Sequence, residues 1–114
     1  MEEKLAAFER LLTIMDELRE QCPWDRKQTN ESLRHLTIEE TYELADAILD
    51  GDLQEIKKET GDLMLHMVFY AKIGSERKSE DGGWDIADSL NSICDKLVNR
   101  HPHIYGDVVA NDEE

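Results

Sequence analysis

From Leu63 to Ala71 the sequence reads Leu-Met-Leu-His-Met-Val-Phe-Tyr-Ala, and wound as a helix this run is apolar on nearly every side. Such a helix needs cover on several faces. The rest of the chain offers helices to supply it. Leu5, Phe8, Leu12, Met15 and Leu18 recur at steps of three and four, which predicts an amphipathic helix from about Glu3 to Glu20. Pro23, within Cys22-Pro23-Trp24-Asp25, ends it. A short helical stretch is expected around Glu31 to Leu36, after Asn30. Thr37 with Glu40 three residues on reads as a cap opening a second long helix, which runs to a glycine stop at Gly51. Asp52 with Glu55 repeats the signal and opens a third, reaching about Ser75. Ser79-Glu80-Asp81-Gly82-Gly83 reads as a loop. Asp85 then caps a fourth helix that carries Ile86, Leu90, Ile93 and Leu97 to about Arg100, where His101-Pro102 ends it. No alternating apolar run is long enough for a strand, and no repeat or low-complexity linker interrupts the chain. The expected fold is all-α, with four to five helices in a bundle. A chain of 114 residues supports one domain, here taken as 1–114, because it can bury roughly two-thirds of its unfolded surface around a single core. Four helices have few faces to offer the 63–71 segment, so a second copy is expected to cover part of it.

Charge narrows the partners. Asp and Glu number 27 against 13 Lys and Arg, a net charge of −14. Like charge disfavours a nucleic-acid backbone or an anionic membrane as the main partner, and the balance favours cations. No stretch approaches the ~18 apolar residues of a membrane span, and the opening Met1–Leu12 is acidic where a signal peptide needs a basic start. A cytoplasmic location is expected. Cys22 and Cys94, isolated thiols without metal spacing, are expected to stay reduced.

Acid pairs at helical spacing carry the chemistry. Glu40 and Glu43 are three apart on the second long helix, and Glu59 and Asp62 repeat this on the third. In a chain with 27 acids such pairs arise by chance, and Glu40 and Glu43 face away from the apolar arc of Ile38, Tyr42, Ala45, Ile48 and Leu49. For that helix alone a solvated face is the simpler account. The third helix differs, because Glu59, Asp62 and His66 form one polar stripe running into the segment that should be most enclosed. Carboxylates there lose hydration and repel one another, which costs several kcal/mol per buried ion without a compensating charge. No lysine or arginine is expected in the neighbouring stripe positions. A hard divalent cation is the simplest compensation, and Mg²⁺ takes a few carboxylates while leaving positions for waters and phosphate oxygens. Gly61 either permits close approach of another backbone or answers a local packing need. His66 is expected to be a hydrogen-bonding or core histidine and not a ligand. His101 and His103 are assigned no catalytic role.

Cys22-Pro23-Trp24-Asp25, with Gln28-Thr29 and Glu31-Ser32-Leu33 beyond, resembles the opening signature of the MazG nucleoside triphosphate pyrophosphohydrolases. Glu39-Glu40-x-x-Glu43, followed after a fifteen-residue gap by Glu59-x-x-Asp62, resembles that family's metal motif. Arg100-His101-Pro102-His103-Ile104-Tyr105-Gly106-Asp107 is similar to its closing segment. The three motifs stand in the family's order from about Leu11 to Val108. The resemblance implies an all-α enzyme, a homodimer or larger assembly, that uses Mg²⁺ or Mn²⁺ to cleave NTP or dNTP to the monophosphate and pyrophosphate. It implies Glu40, Glu43, Glu59 and Asp62 as metal ligands, and Lys96 and Arg100 as contacts for the substrate phosphates. Some members have two such domains in tandem, whereas this chain carries one and stops at Glu114, soon after the closing motif.

Release of pyrophosphate implies attack by a metal-activated water at the α-phosphorus, with Glu39 or one of the four ligands taking the water's proton. Lys96 and Arg100 would hold the leaving pyrophosphate; without the resemblance they read equally as charges complementing a helix C-terminus. Trp24 could stack on a base, although a tryptophan after a Cys-Pro turn is more often a core anchor. A di-iron bundle fits poorly, since His66 has Leu63 and not a glutamate three residues before it. The competing class is a non-catalytic helical dimerisation or interaction module, which leaves the three motifs unexplained.

Overall fold

The computed structural model describes residues 1–106, so Asp107 and Val108, at the end of the closing motif, lie outside the described residues. Six helices follow in order: α1 (Glu2–Gln21), α2 (Pro23–Lys27), α3 (Asn30–Asp50), α4 (Leu53–Ser75), α5 (Ile86–Arg100) and α6 (Pro102–Tyr105), with a 3-10 turn at Ser79–Asp81. Among the described residues there is no strand, as the periodicity predicts. None of these helices is long and apolar enough to cross a membrane.

The centre of the fold is the α3–α4 hairpin. Gly51 takes a left-handed conformation (φ 68°) at the end of α3, and its N–H donates to Ile48 O while that of Asp52 donates to Ala47 O. Asp52 then accepts from Glu55 N and starts α4. Two residues between long helices force an antiparallel pair. Met15 of α1, Leu33 of α3, and Val68 and Phe69 of α4 are buried together, with Phe8, Leu11, Leu12, Tyr70 and Ile73 packed around them.

Arg19 fixes α1 and α2 to this unit. Its Nη1 donates to the carbonyls of Asp25, Arg26 and Gln28, where α2 ends, and its Nε and Nη2 form a fork on Glu76 at the end of α4. The orphan carbonyls of a five-residue helix thereby gain a cationic cap. At the other end of α4, Gly74 lies flat under the Trp84 indole, where a Cβ would stand 2.5 Å from Nε1. That contact, with Trp84 N donating to Gly74 O, docks the start of α5.

Several expectations need correction. Thr37 caps nothing: α3 begins at Asn30, where Thr29 and Ser32 exchange side-chain bonds with each other's backbone N–H in a capping box. The Thr37 hydroxyl donates back to Leu33 O inside the continuous helix. The facing of α3 is also reversed. Leu33, Thr37, Glu40, Leu44 and Ala47 turn toward the protomer, whereas Ile38, Tyr42, Ala45, Ile48 and Leu49 are exposed, Leu49 at 84%. Gly61 meets nothing within 4 Å of an added Cβ, so among the described residues no backbone approaches it; the close backbone approach is at Gly83, against Arg77 O. α5 does end at Arg100 ahead of His101-Pro102, as expected, and Pro102 then opens the short α6, at the first-turn position where its missing N–H costs nothing. Of the apolar run, Val68, Phe69 and Ala71 are buried, while Met64, Leu65 and Met67 remain exposed in the protomer.

Candidate metal centre

Reversing α3 brings its acid pair face to face with Glu59. Glu40 and Glu43, one turn apart on α3, meet Glu59 on α4, and one carboxylate oxygen from each lies within 4.8 Å of the others. Glu59 is only 4% exposed. Glu40 is half-buried and Glu43 exposed, so the group opens to solvent on one side. Glu40 Oε2 and Glu59 Oε2 are buried without a hydrogen-bond partner. A buried carboxylate oxygen with nothing to accept from is costly. Burial, reinforced by the neighbouring Glu59, Glu43 and Asp62 carboxylates, pushes Glu40 up to about 7. Glu59 goes the other way, held below the usual carboxylate range by the ammonium of Lys58.

Lys58 contradicts the expectation that no cation would lie beside the stripe. Its Nζ donates to Glu59 Oε1 at 3.0 Å and stands 3.6 Å from Asp62 Oδ2. The signal was available, since Lys58 and Asp62 stand four apart, the spacing of a helical ion pair. Asp62 is drawn toward Lys58 and is not among the three acids whose oxygens converge.

A second polar layer lies one turn away. Thr37 Oγ1 on α3 is 2.7 Å from His66 Nδ1 and also hydrogen-bonds the Tyr70 hydroxyl, both on α4. His66 is thus a hydrogen-bonding group between the helices, and Tyr70 joins it, a partner that spacing did not reveal. Toward the Gly51 turn, an open cleft of about 400 Å³ continues from Glu43 and Glu59 past Asp46, Asp50 and Glu55, with Lys58 on its wall. A polyphosphate entering so acidic a cleft requires cations.

The remaining site candidates lie elsewhere. Glu39 is exposed beside Glu40 and outside the converging group. Trp24 is 76% exposed on α2, neither a core anchor nor near the acids, since α2 packs on α1 alone. Lys96 and Arg100 are exposed on α5, which packs on α4 and α6 but not on α3, and among the described residues neither forms an ion pair with these carboxylates.

The donor set is oxygen only, and two of its three acids each carry a buried oxygen without a partner. Glu40, Glu43 and Glu59 could therefore hold a hard divalent cation.

Comparison with known proteins agrees with this geometry. Residues 28–105 match the MazG nucleotide pyrophosphohydrolase domain. The nucleoside triphosphate pyrophosphohydrolase/pyrophosphatase MazG of Thermotoga maritima is 46% identical over 109 residues, covering 94% of this chain and 41% of that protein. The nucleoside triphosphate pyrophosphohydrolase of Escherichia coli strain K12 is 43% identical over 106 residues, covering 90% of this chain and 39% of that protein. The chain thus spans about two-fifths of the length of these relatives. In three dimensions it is similar to the crystal structure of a mazG-related protein from Thermotoga maritima, with a TM-score of 0.75 and 28% identity over 92% of this chain and 89% of that one.

Proposed function

The chain belongs to the MazG nucleotide pyrophosphohydrolase family, and from that premise we propose that its single domain hydrolyses nucleoside triphosphates, ribo or deoxy, to the monophosphate and pyrophosphate. The observation that carries this reading is the pair of orphaned buried oxygens, Glu40 Oε2 and Glu59 Oε2, on two of three acids whose carboxylates converge. Glu40, Glu43 and Glu59, joined by Asp62, would hold Mg²⁺ or Mn²⁺. When bound, such an ion neutralises phosphate charge and acidifies a coordinated water.

The chain's own groups divide the remaining work. Glu59 and Glu40 supply buried anionic oxygens whose repulsion favours cation binding. Thr37, His66 and Tyr70 hold α3 in register with α4 and keep the acids converged. Glu39, exposed and in no ion pair among the described residues, is free to accept the proton of an attacking water.

A homodimer is part of the proposal. The exposed arc of α3, and the exposed Leu90, Ile93 and Leu97 of α5, are faces that a protomer alone leaves in water. Pairing through them supports the reading that Lys96 and Arg100 on one copy serve the acids of the other. The free thiols of Cys22 and Cys94 suit a reducing compartment such as the cytoplasm.

Incubation with mixed nucleoside triphosphates and Mg²⁺ or Mn²⁺, with pyrophosphate and phosphate assayed separately, tests the activity. Pyrophosphate and monophosphate in equal amounts are expected. Release of phosphate alone would replace it with hydrolysis at the terminal phosphate, and no metal-dependent turnover would sink it in favour of a non-catalytic interaction module. That module accounts for the exposed faces but leaves the orphaned oxygens unexplained.

A further inference from the structure

Glu59 has two carboxylate oxygens with different fates. Oε1 accepts from Lys58, and Oε2 has no partner. The same ammonium stands 3.6 Å from Asp62, which lies outside the converging group of Glu40, Glu43 and Glu59. Among the ion pairs of the described residues, only those of Lys58 touch these acids. Its side chain is 61% exposed, so the stem is not locked by packing and the ammonium can return to water at little cost.

We propose that Lys58 is the built-in counter-ion of the metal-free centre and competes with the divalent cation for Glu59 and Asp62, so that metal loading requires its ammonium to swing out. This rests on the metal-binding reading above. The competition follows from charge. A dication held on Glu59 Oε2 and an Asp62 oxygen would share both carboxylates with the ammonium of Lys58 and repel it. Lys58 therefore sets the metal affinity of this chain, weakening it while relieving the repulsion among the acids when metal is scarce.

Calorimetric titration with Mn²⁺ tests this on the whole chain. Lys58→Met keeps the stem and removes the ammonium, and should tighten Mn²⁺ binding roughly fivefold, as expected for loss of one partly exposed competing ion pair. Its metal-free form should melt lower than wild type. Lys57→Met makes the same change in net charge at an exposed position outside the ion pairs, and should leave the affinity unchanged. In the wild-type protein, Mg²⁺ should shift the Nζ resonance of Lys58 but not that of Lys57. Equal affinity in wild type and Lys58→Met, equal tightening in both variants, or an unmoved Lys58 resonance would each overturn the proposal while leaving the metal centre standing. Absence of Mn²⁺ binding in all three proteins would remove both.

Discussion

Thr37 Oγ1 on α3 lies 2.7 Å from His66 Nδ1 on α4, three residues before Glu40 on one helix and four after Asp62 on the other. The hydroxyl also hydrogen-bonds Tyr70 and returns to Leu33 O. One small side chain thus joins the two helices that carry the acids, and a slip of either helix would break these bonds before it separated the carboxylates. Thr37→Val keeps the shape and removes the hydroxyl, leaving His66 and Tyr70 without their shared partner. A loss of about 1–3 kcal/mol in stability is expected from denaturant unfolding. A change within experimental error would mean that water substitutes for the hydroxyl and that the pair is not a register device.

Arg19 contributes through backbone carbonyls more than through its ion pair with Glu76. Glu76 is partly exposed, and ion pairs of that kind contribute about 1 kcal/mol or less. The three α2 carbonyls on Nη1 are a different matter, because the last turn of α2 loses its cap without them. Arg19→Lys cannot serve both groups from one ammonium, and should cost about 2 kcal/mol; Glu76→Gln should cost less than half of that. Equal losses in the two variants would show that the ion pair dominates.

Much of the fold is legible in the sequence, because helix boundaries are local. Asp52 and Asp85 cap where their spacing predicts, and Gly51 stops α3 with a positive φ. The failures share a cause. A helical wheel places the apolar arc of α3 against the protomer, yet the inward face carries Thr37 and Glu40, because polar groups on α4 answer them. Ile38, Tyr42 and Leu49 are left exposed, an arrangement no single-helix pattern can reveal. The acid pairs were visible as spacing, but their convergence depends on which face turns inward. Lys58 was missed because it stands off the stripe it neutralises.

The metal-free protein should lose stability as pH rises through neutrality. Glu40 is raised from 4.5 to about 7 on folding, chiefly by burial, so between those values the folded chain holds a proton that the unfolded chain has released. Stability from this group is fully present below about pH 4.5 and gone above about pH 7. Glu59 and Glu76 are lowered and act with the opposite sign, contributing stability above the ordinary carboxylate range and losing it only on further acidification. Unfolding in chelator from about pH 5 to about pH 8 should therefore show a decline that Glu40→Gln flattens. An identical decline in Glu40→Gln would assign the titration to other groups.

Asp62 and Asp50 separate coordination from general acidity. Asp62 faces the centre through Lys58, whereas Asp50 lines the outer cleft near the end of α3, where a negative charge opposes the helix dipole. Each becomes asparagine with the same loss of charge. If Asp62 joins the ligand set, Asp62→Asn should lower Mg²⁺-dependent pyrophosphate release on the order of 100-fold and shrink the rise in melting temperature that Mg²⁺ gives over potassium at matched ionic strength. Its metal-free fold should be about as stable as wild type, because the repulsion removed from the cluster offsets the lost Lys58 contact. Asp50→Asn should keep nearly full turnover and a full Mg²⁺ response, with a slight gain in stability. Full activity in both variants would remove Asp62 from the ligand set. An equal loss in both would mean that the acids act through the summed field of a chain of charge −14 and not through bonds to one ion.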